Sequence, residues 1–401
     1  SFVNESFTSS LPLDVAGSAA AAYGLRDLTT GGTSVISSGD TGGATTGKFV
    51  VQVRRASDNT IKSFTAAEVA DGTLLAFVTE SFQKTLSVQG DGQDSTWDVT
   101  VVDNSNYTID CNNNTVTKFC RLITNAINGG TKYRIDFDFT TNSGDASNLK
   151  LNRSSPFNLQ TITEGFNSIE FDFTVDTLLL FRISAGSNVF NATISNLTVT
   201  AIGNDGHVST WYDQSGNGNN ATKGTPAEQP KIVSAGALAT DTNQNPAIEF
   251  KRLAGIGSLH LRLDTQIPPM GTTNFAVVDY RRSFSYHLAG AGGGTIRIGR
   301  YTSNQFRIVN GGVAVVSTDT SFTTDAVHLA TVNIAASGGT SKAFVDGVEV
   351  ISNDFPDATD NFEQIFRGDN DSNNPIFLSE LIIYNSDQSD KRRAIEESIA
   401  T

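Results

Sequence analysis

The sequence predicts an all-β protein in which one β-sandwich is interrupted by a second. Three observations lead there. First, short segments rich in Phe and β-branched residues alternate with polar ones, as in "KYRIDFDFTT" (132–141) and "NSIEFDFTVD" (167–176). Second, Thr, Ser, Asn, Asp and 36 Gly dominate the remainder, residues that break helices and supply turn geometry. Third, the texture changes near Thr79 and again after Asp205, with evenly spaced alternating strands between those points. At 401 residues and 38% hydrophobic, the chain is long enough for two cores.

Residues 1–15 form an N-terminal arm, polar and extended, with Pro12 set against a helix. Two readings of the arm stay open: a loosely held terminus, or a segment that adds to a neighbouring copy. "AGSAAAAYGLRDL" (16–28) is the first predicted helix, short and Ala-rich. "KFVVQVRRAS" (48–57) alternates as a strand, and "SFTAAEVADGTLLAFV" (63–78) reads as a loop and a short helix. Six or more strands then fall within 79–205, the size of a self-contained sandwich, with "FCRLITNAI" (119–127) as one short helix among them. After Asp205 strands continue to "IFLSELIIYN", including an Asp346-Gly347 hairpin tip where Gly supplies positive φ. "SDQSDKRRAIEESIAT" is a terminal helix with Ser386 or Ser389 as N-cap.

The charge of −14 with only 28 Lys+Arg argues against a nucleic-acid partner, which needs clustered cations. No apolar run reaches the roughly 18–20 residues of a membrane span. Position 1 is Ser, which marks a processed or partial product. Cys111 and Cys120 are spaced either to pair across a hairpin or to stand as two thiols. The four histidines, at 207, 260, 287 and 328, fall in separate contexts without metal-ligand spacing and read as structural. Glu249 in "PAIEF" reads as an isolated, exposed strand residue.

The densest motif is "HVSTWYDQSGNGNNAT" (207–222). Trp211 and Tyr212 end a strand and point to opposite faces. Asp213, Gln214 and Ser215 suit Asx- and Ser-turns, and Gly216 and Gly218 suit positive φ. One reading is a stapled corner, with one ring in the core and its polar tip bonded to a loop carbonyl. The other is a glycan site formed by Trp211, Tyr212, Asn219 and Asn220, with sugar stacked on an exposed ring. Asp369, Asn370 and Asp371 in "RGDNDSNNPIF" present oxygens that would ligate Ca²⁺, although an acidic surface turn before a strand explains such a run more often. "DGQDS" (91–95), "DNSN" (103–106) and "DATDN" (357–361) invite the same two readings with less support. No other cofactor is indicated.

Together, "AAAAYGLRDL", "VVQVRRASDNTIKSFTAAEVADGTLLAFV" and "HVSTWYDQSGNGNNATKGTPAEQPKIV" resemble the concanavalin-like (LamG-like) module of arabinofuranosidase-B type glycosidases. They resemble still more closely its non-enzymatic relatives in bacteriophage structural proteins. "NPAIEF", "AFVDGVEV" and "ELIIYNSDQSDKRRAIEESIA" continue the likeness. The resemblance implies a concanavalin-like β-sandwich (jelly roll) made of 16–78 and 206–401. The inserted 79–205 is similar, more generically, to carbohydrate-binding jelly-roll modules through "GTKYRIDFDFT" and "NATISNLTVTAI".

The glycosidases of this family are retaining enzymes, which need two carboxylates about 5–5.5 Å apart. Asp369 matches the family's acid/base position, whereas nothing from "NFAVVDYRR" to "AVVST" reproduces the nucleophile stretch. The adjacent cysteine pair of those enzymes is also missing. The resemblance therefore implies a non-enzymatic virion structural or appendage protein (capsid decoration, fibre or tail component). Its partners would be other copies or other virion proteins, with glycans as ligands, at the virion surface. The alternatives are a secreted carbohydrate-binding protein or arabinofuranosidase-like glycosidase, and a bacterial surface or filament subunit assembled through its arm.

Overall fold

The structure, a computed structural model, describes residues 10–30, 48–83, 86–91, 97–103, 105–112, 117–124, 131–153, 158–173, 179–202, 205–281, 285–290, 296–302, 304–368 and 372–400. The protein is all-β, and the strand registers among the described residues are antiparallel. It divides into two compact units: one of residues 1–54, 61–76 and 206–401, the other of 55–60 and 77–205.

The second unit is two sheets on one core. A five-stranded sheet holds Lys118–Thr124, Lys150–Arg153 and Leu179–Ile183 among its strands; a six-stranded one is built around Thr131–Gly144 and Val189–Ile202. Strict alternation in "YRIDFDF" sends Tyr133, Ile135, Phe137 and Phe139 inward and leaves Arg134, Asp136 and Asp138 outside. Phe137 meets Phe181 of the other sheet edge-on, ring centroids 5.2 Å apart, and Tyr107 meets the same ring at 6.0 Å. In Val189–Ile202 the inward parity changes from Phe190, Ala192 and Ile194 to Leu197, Val199 and Ala201. A bulge absorbs the change: the register shifts between Ser195 and Thr198, with Asn196 at φ 54°. Asn can hold that conformation because its short amide bonds locally, here from Nδ2 to Asp138 Oδ2 at 2.8 Å.

In the first unit Ser372–Tyr384 is the organising strand. It pairs with Thr272–Tyr280 on one side. On the other it pairs with Ile248–Leu253 and then Ala21–Gly24. Thr272–Tyr280 leads outward through Val327–Ile334 and Thr340–Val345 to Val348–Asp354. A second array runs from Gly206–Trp211 through Ala221–Thr222 and Leu261–Ile267 to Phe362–Gly368. It continues through Ser285–Ala289 and Arg297–Arg300 to Phe306–Asn310. Lys231–Ser234 links the two arrays, pairing with Gly206–Trp211 and with Ile248–Leu253. The hairpin at Asp346-Gly347 has both residues at positive φ (49° and 80°), the two-residue turn that matches strand twist.

Several local expectations are corrected. Residues 16–28 do not form a helix. Pro12–Ala16 does, with Pro12 at its first position, where a missing N–H costs nothing. Gly17 at φ 80° ends it, and Ala21–Gly24 is a strand buried at all four positions. The end of the arm therefore lies against its own chain, where Leu13 joins Ile395 and Ile399 of the terminal helix in one apolar cluster. Residues 1–9 fall outside the described residues. Ile61–Thr65 is a strand rather than a loop, followed by a helix whose Thr65 and Glu68 form a capping box. Lys118–Thr124 is a strand, not a helix, because pairing on both sides outweighs local propensity. The terminal helix starts at Arg392, and Lys391 precedes it without a side-chain cap. Ser389 bonds Asp387 instead of capping.

Candidate functional site

The WYDQSG block is built for holding strands together. Trp211 is fully buried and Tyr212 is 3% exposed, so neither ring offers a face to a sugar. The glycan site expected at Trp211, Tyr212, Asn219 and Asn220 is thereby corrected. Alternation does separate the rings: Trp211 packs on Tyr23 at 5.6 Å, whereas Tyr212 packs on Phe49 and shares a 2.8 Å hydrogen bond with Ser63 Oγ. Trp211 Nε1 has no hydrogen-bond partner among the described residues. The bond to a loop carbonyl is made by Tyr23, whose Oη donates to Asn219 O at 2.5 Å. Burial and the neighbouring Asp213 carboxylate push the Tyr23 phenol well above its usual range.

Asp213 is the hub. Its Oδ1 accepts from Ala22 N (2.8 Å) and Ser215 N (2.9 Å), its Oδ2 from Ser215 Oγ (2.7 Å) and Asn219 N (3.0 Å). Gln214 accepts from Leu28 N and donates to Gly24 O and Arg26 O. Asn219 exchanges two bonds with the backbone of Thr265, and Asn220 Oδ1 accepts from Asp213 N. The polar side chains of the motif are thus committed to three stretches of backbone.

The other sequence-predicted positions stand apart. Asp369, Asn370 and Asp371 lie outside the described residues. Asp103 bonds Ser105 N and Asn106 Nδ2 in its own turn, an Asx arrangement rather than a cation cradle. Among the described residues no group of His, Cys, Asp and Glu is arranged to hold a metal. Cys111 is a buried thiol, not half of a disulfide, with Sγ 3.5 Å from Asn188 O. Its strand belongs to the six-stranded sheet and Cys120's to the five-stranded sheet, so the hairpin expected to join them does not form; the Cys120 side chain lies outside the described residues. Glu249 is 7% exposed rather than open, and accepts from Lys251 Nζ at 2.6 Å. His287 is buried against Tyr280 Oη (2.9 Å), and His328 Nδ1 lies 2.7 Å from Asp346 Oδ2. His260 Nε2 meets Lys223 Nζ at 3.2 Å, and His207 Nδ1 lies 3.4 Å from Gln229 O.

Two features that the motifs did not announce remain. The first is a cavity of about 510 Å³ in the first unit, with Leu25, Val69, Pro246 and Val277 as apolar walls. Arg26, Glu380 and Asp27 supply its charges, and Asn245 and Ser379 add polar lining. Arg26 Nε donates to Glu380 Oε2 at 2.9 Å, and Nη2 reaches the terminal-helix carbonyls of Ser398 and Ile399, which would otherwise lack intrahelical partners. Glu380 is 3% exposed, and its Oε1 has no protein partner among the described residues. Burial pushes its carboxyl up to about 7, against the pull of Arg26. An acid whose folded pKa is raised favours the protonated native state. Its contribution is therefore fully present below about pH 4.5 and lost as pH rises to about 7, a change of at most roughly 3 kcal/mol. Glu380→Gln is expected to abolish this fall in stability between pH 5 and 7.5, measured as the difference in urea midpoints.

The second feature is the outer face of the six-stranded sheet in the second unit. Phe166 is 67% exposed there, opposite Asp138 in the register. Around it Ser168 Oγ donates to Asp136 (2.6 Å), Asn196 Nδ2 to Asp138 (2.8 Å), and Asn142 Nδ2 to Asn191 and Thr193. The sequence carried partial signals for both features. Glu380 sits in the inward parity of "IFLSELIIY", and Phe166 precedes an alternating run. Arg26 is 354 positions from its partner, a separation no local pattern reveals.

No family model and no curated protein sequence matches the chain. Among solved structures it is similar to Trypanosoma rangeli sialidase at 11% identity and TM-score 0.33, over 76% of this chain and 62% of that one. The chain thus spans less than two thirds of that sialidase. It is also similar to the N-terminal CBM22 tandem domain of Paenibacillus barcinonensis Xyn10C (9%, TM-score 0.27, 76% and 96% covered). A third likeness is to a putative carbohydrate binding protein from Bacteroides ovatus (12%, TM-score 0.26, 77% and 84%). Likenesses this distant leave function to be argued from the chain's own residues.

Proposed function

We propose that this protein is a non-enzymatic, carbohydrate-binding component of a virion surface or appendage. The observation that carries the binding role is Phe166, a large apolar ring 67% exposed on a sheet face where polar side chains surround it. A ring so placed takes the C–H face of a sugar, while Asp136, Asp138, Ser168 and Asn196 hydrogen-bond its hydroxyls. The virion assignment rests on the resemblance of the 16–78 and 206–401 blocks to phage structural proteins. The spending of WYDQSG on internal bonds agrees with a scaffold rather than an active-site loop.

Glycan-array binding by the full chain, followed by titration with the best polysaccharide, tests the binding role. Phe166→Ala is expected to weaken binding about tenfold, since the lost contact is worth about 1–2 kcal/mol. The exposed position keeps the change in stability within about 0.5 kcal/mol. Undiminished binding by Phe166→Ala would remove this face as the site. Mass spectrometry of purified particles tests the assignment, and recovery only as a free monomer would sink it.

A further inference from the structure

We propose that the cavity bounded by Arg26 and Glu380 is a second carbohydrate site, in the first unit, that takes a single neutral, hydroxylated ring. The inference rests on the carbohydrate-binding reading but on different residues from those around Phe166.

Four observations define the ligand. The cavity, about 510 Å³, is within the range of small-molecule sites. Glu380 keeps one acceptor, Oε1, without a protein partner although the residue is 97% buried. Arg26 spends Nε on Glu380 and Nη2 on the helix carbonyls, and among the described residues Nη1 has no protein acceptor. The residue stays partly open, its side chain 37% exposed. A hydroxyl both donates and accepts, so one ring can give a proton to Glu380 and take a hydrogen bond from Arg26. Leu25, Val69, Pro246 and Val277 provide the dry surface for the ring's C–H groups.

Charge selects a neutral ligand. An anion would meet Glu380 and the helix carbonyl end, while Asp27, exposed to solvent, is screened and weighs little either way. A cation would meet Arg26, whose charge Glu380 already matches. An uncharged polyol meets neither penalty.

Calorimetric titration of the full chain with a panel of methyl pyranosides and furanosides tests this. At least one glycoside is expected to bind. Glu380→Gln and Arg26→Met are each expected to weaken it tenfold or more. Ala70→Phe, at an exposed position of the lining, is expected to block the cavity without touching the ion pair. Phe166→Ala is expected to leave this binding unchanged. Binding that persists in Ala70→Phe and Glu380→Gln would overturn the site. If no glycoside binds while Phe166-dependent polysaccharide binding survives, the inference fails and the proposed function stands. Loss of both overturns both.

Discussion

Asp213→Ala is expected to destabilise the first unit by about 3–5 kcal/mol, lowering its melting temperature by roughly 10 °C. The substitution removes a carboxylate that is 2% exposed and accepts four hydrogen bonds. Three of those donors are backbone N–H groups, at Ala22, Ser215 and Asn219, which cannot rotate to find another partner. Each buried donor left unmade costs about 1–3 kcal/mol, and the losses are not additive because the clasp relaxes as a unit. Asp213→Asn separates charge from geometry. Its carbonyl oxygen still serves Ala22 N and Ser215 N, but its amide meets the Asn219 N–H, so a smaller loss of about 1–2 kcal/mol is expected. Scanning calorimetry checks both variants. A sugar-binding loop would show the opposite pattern, with binding lost and stability kept.

The second large effect is acid-induced. Burial depresses the His287 imidazole to about 3, and Tyr280 Oη lies 2.9 Å from its Nδ1. In the unfolded chain a histidine takes up its proton near 6.5, whereas the folded one stays neutral until about 3. The contribution is therefore fully present above about 6.5 and lost as pH falls towards 3. The loss is about 1.4 kcal/mol per unit and at most roughly 5 kcal/mol in total. Glu380 runs with the opposite sign between 4.5 and about 7, so the two slopes offset one another between about 4.5 and 6.5. His287→Gln keeps an acceptor for the Tyr280 hydroxyl and does not titrate. Its urea midpoint is expected to fall slightly below wild type at pH 7.5 and to overtake it at pH 4. Parallel midpoints at both pH values would exclude His287 as the acid trigger.

What the sequence made legible was periodic or local. The alternation in "YRIDFDF" placed Tyr133, Ile135, Phe137 and Phe139 inward without any knowledge of their partners. Asp346-Gly347 announced its own turn, and the Asx and Gly residues of WYDQSG announced a corner. The errors arose where long-range pairing overrode propensity. "AAAAYG" carries helix formers, yet Ala21–Gly24 is a strand because Glu380–Ile383 offers a ladder on one side and all four positions are buried. Lys118–Thr124 is a strand for the same reason, with strands on both sides of it. The expected sugar face failed because exposure is not periodic. Alternation separated Trp211 from Tyr212, but both sides of that strand are covered. The Arg26–Glu380 pair was hidden by separation alone.

Ala21–Gly24 precedes its ladder partner, Glu380–Ile383, by most of the sequence, and its clasp, Asp213, lies 191 residues from Ala22. During vectorial synthesis this strand has no ladder partner until residues 380–383 have emerged, while strands within 77–205 meet neighbours tens of residues away. Closing so long a loop raises contact order and slows the final step. Before that step, the buried face of Ala21–Gly24 and the inward row of Thr272–Tyr280 are exposed and aggregation-prone. The nascent first unit is therefore the part of this molecule with the longest wait between emergence and closure.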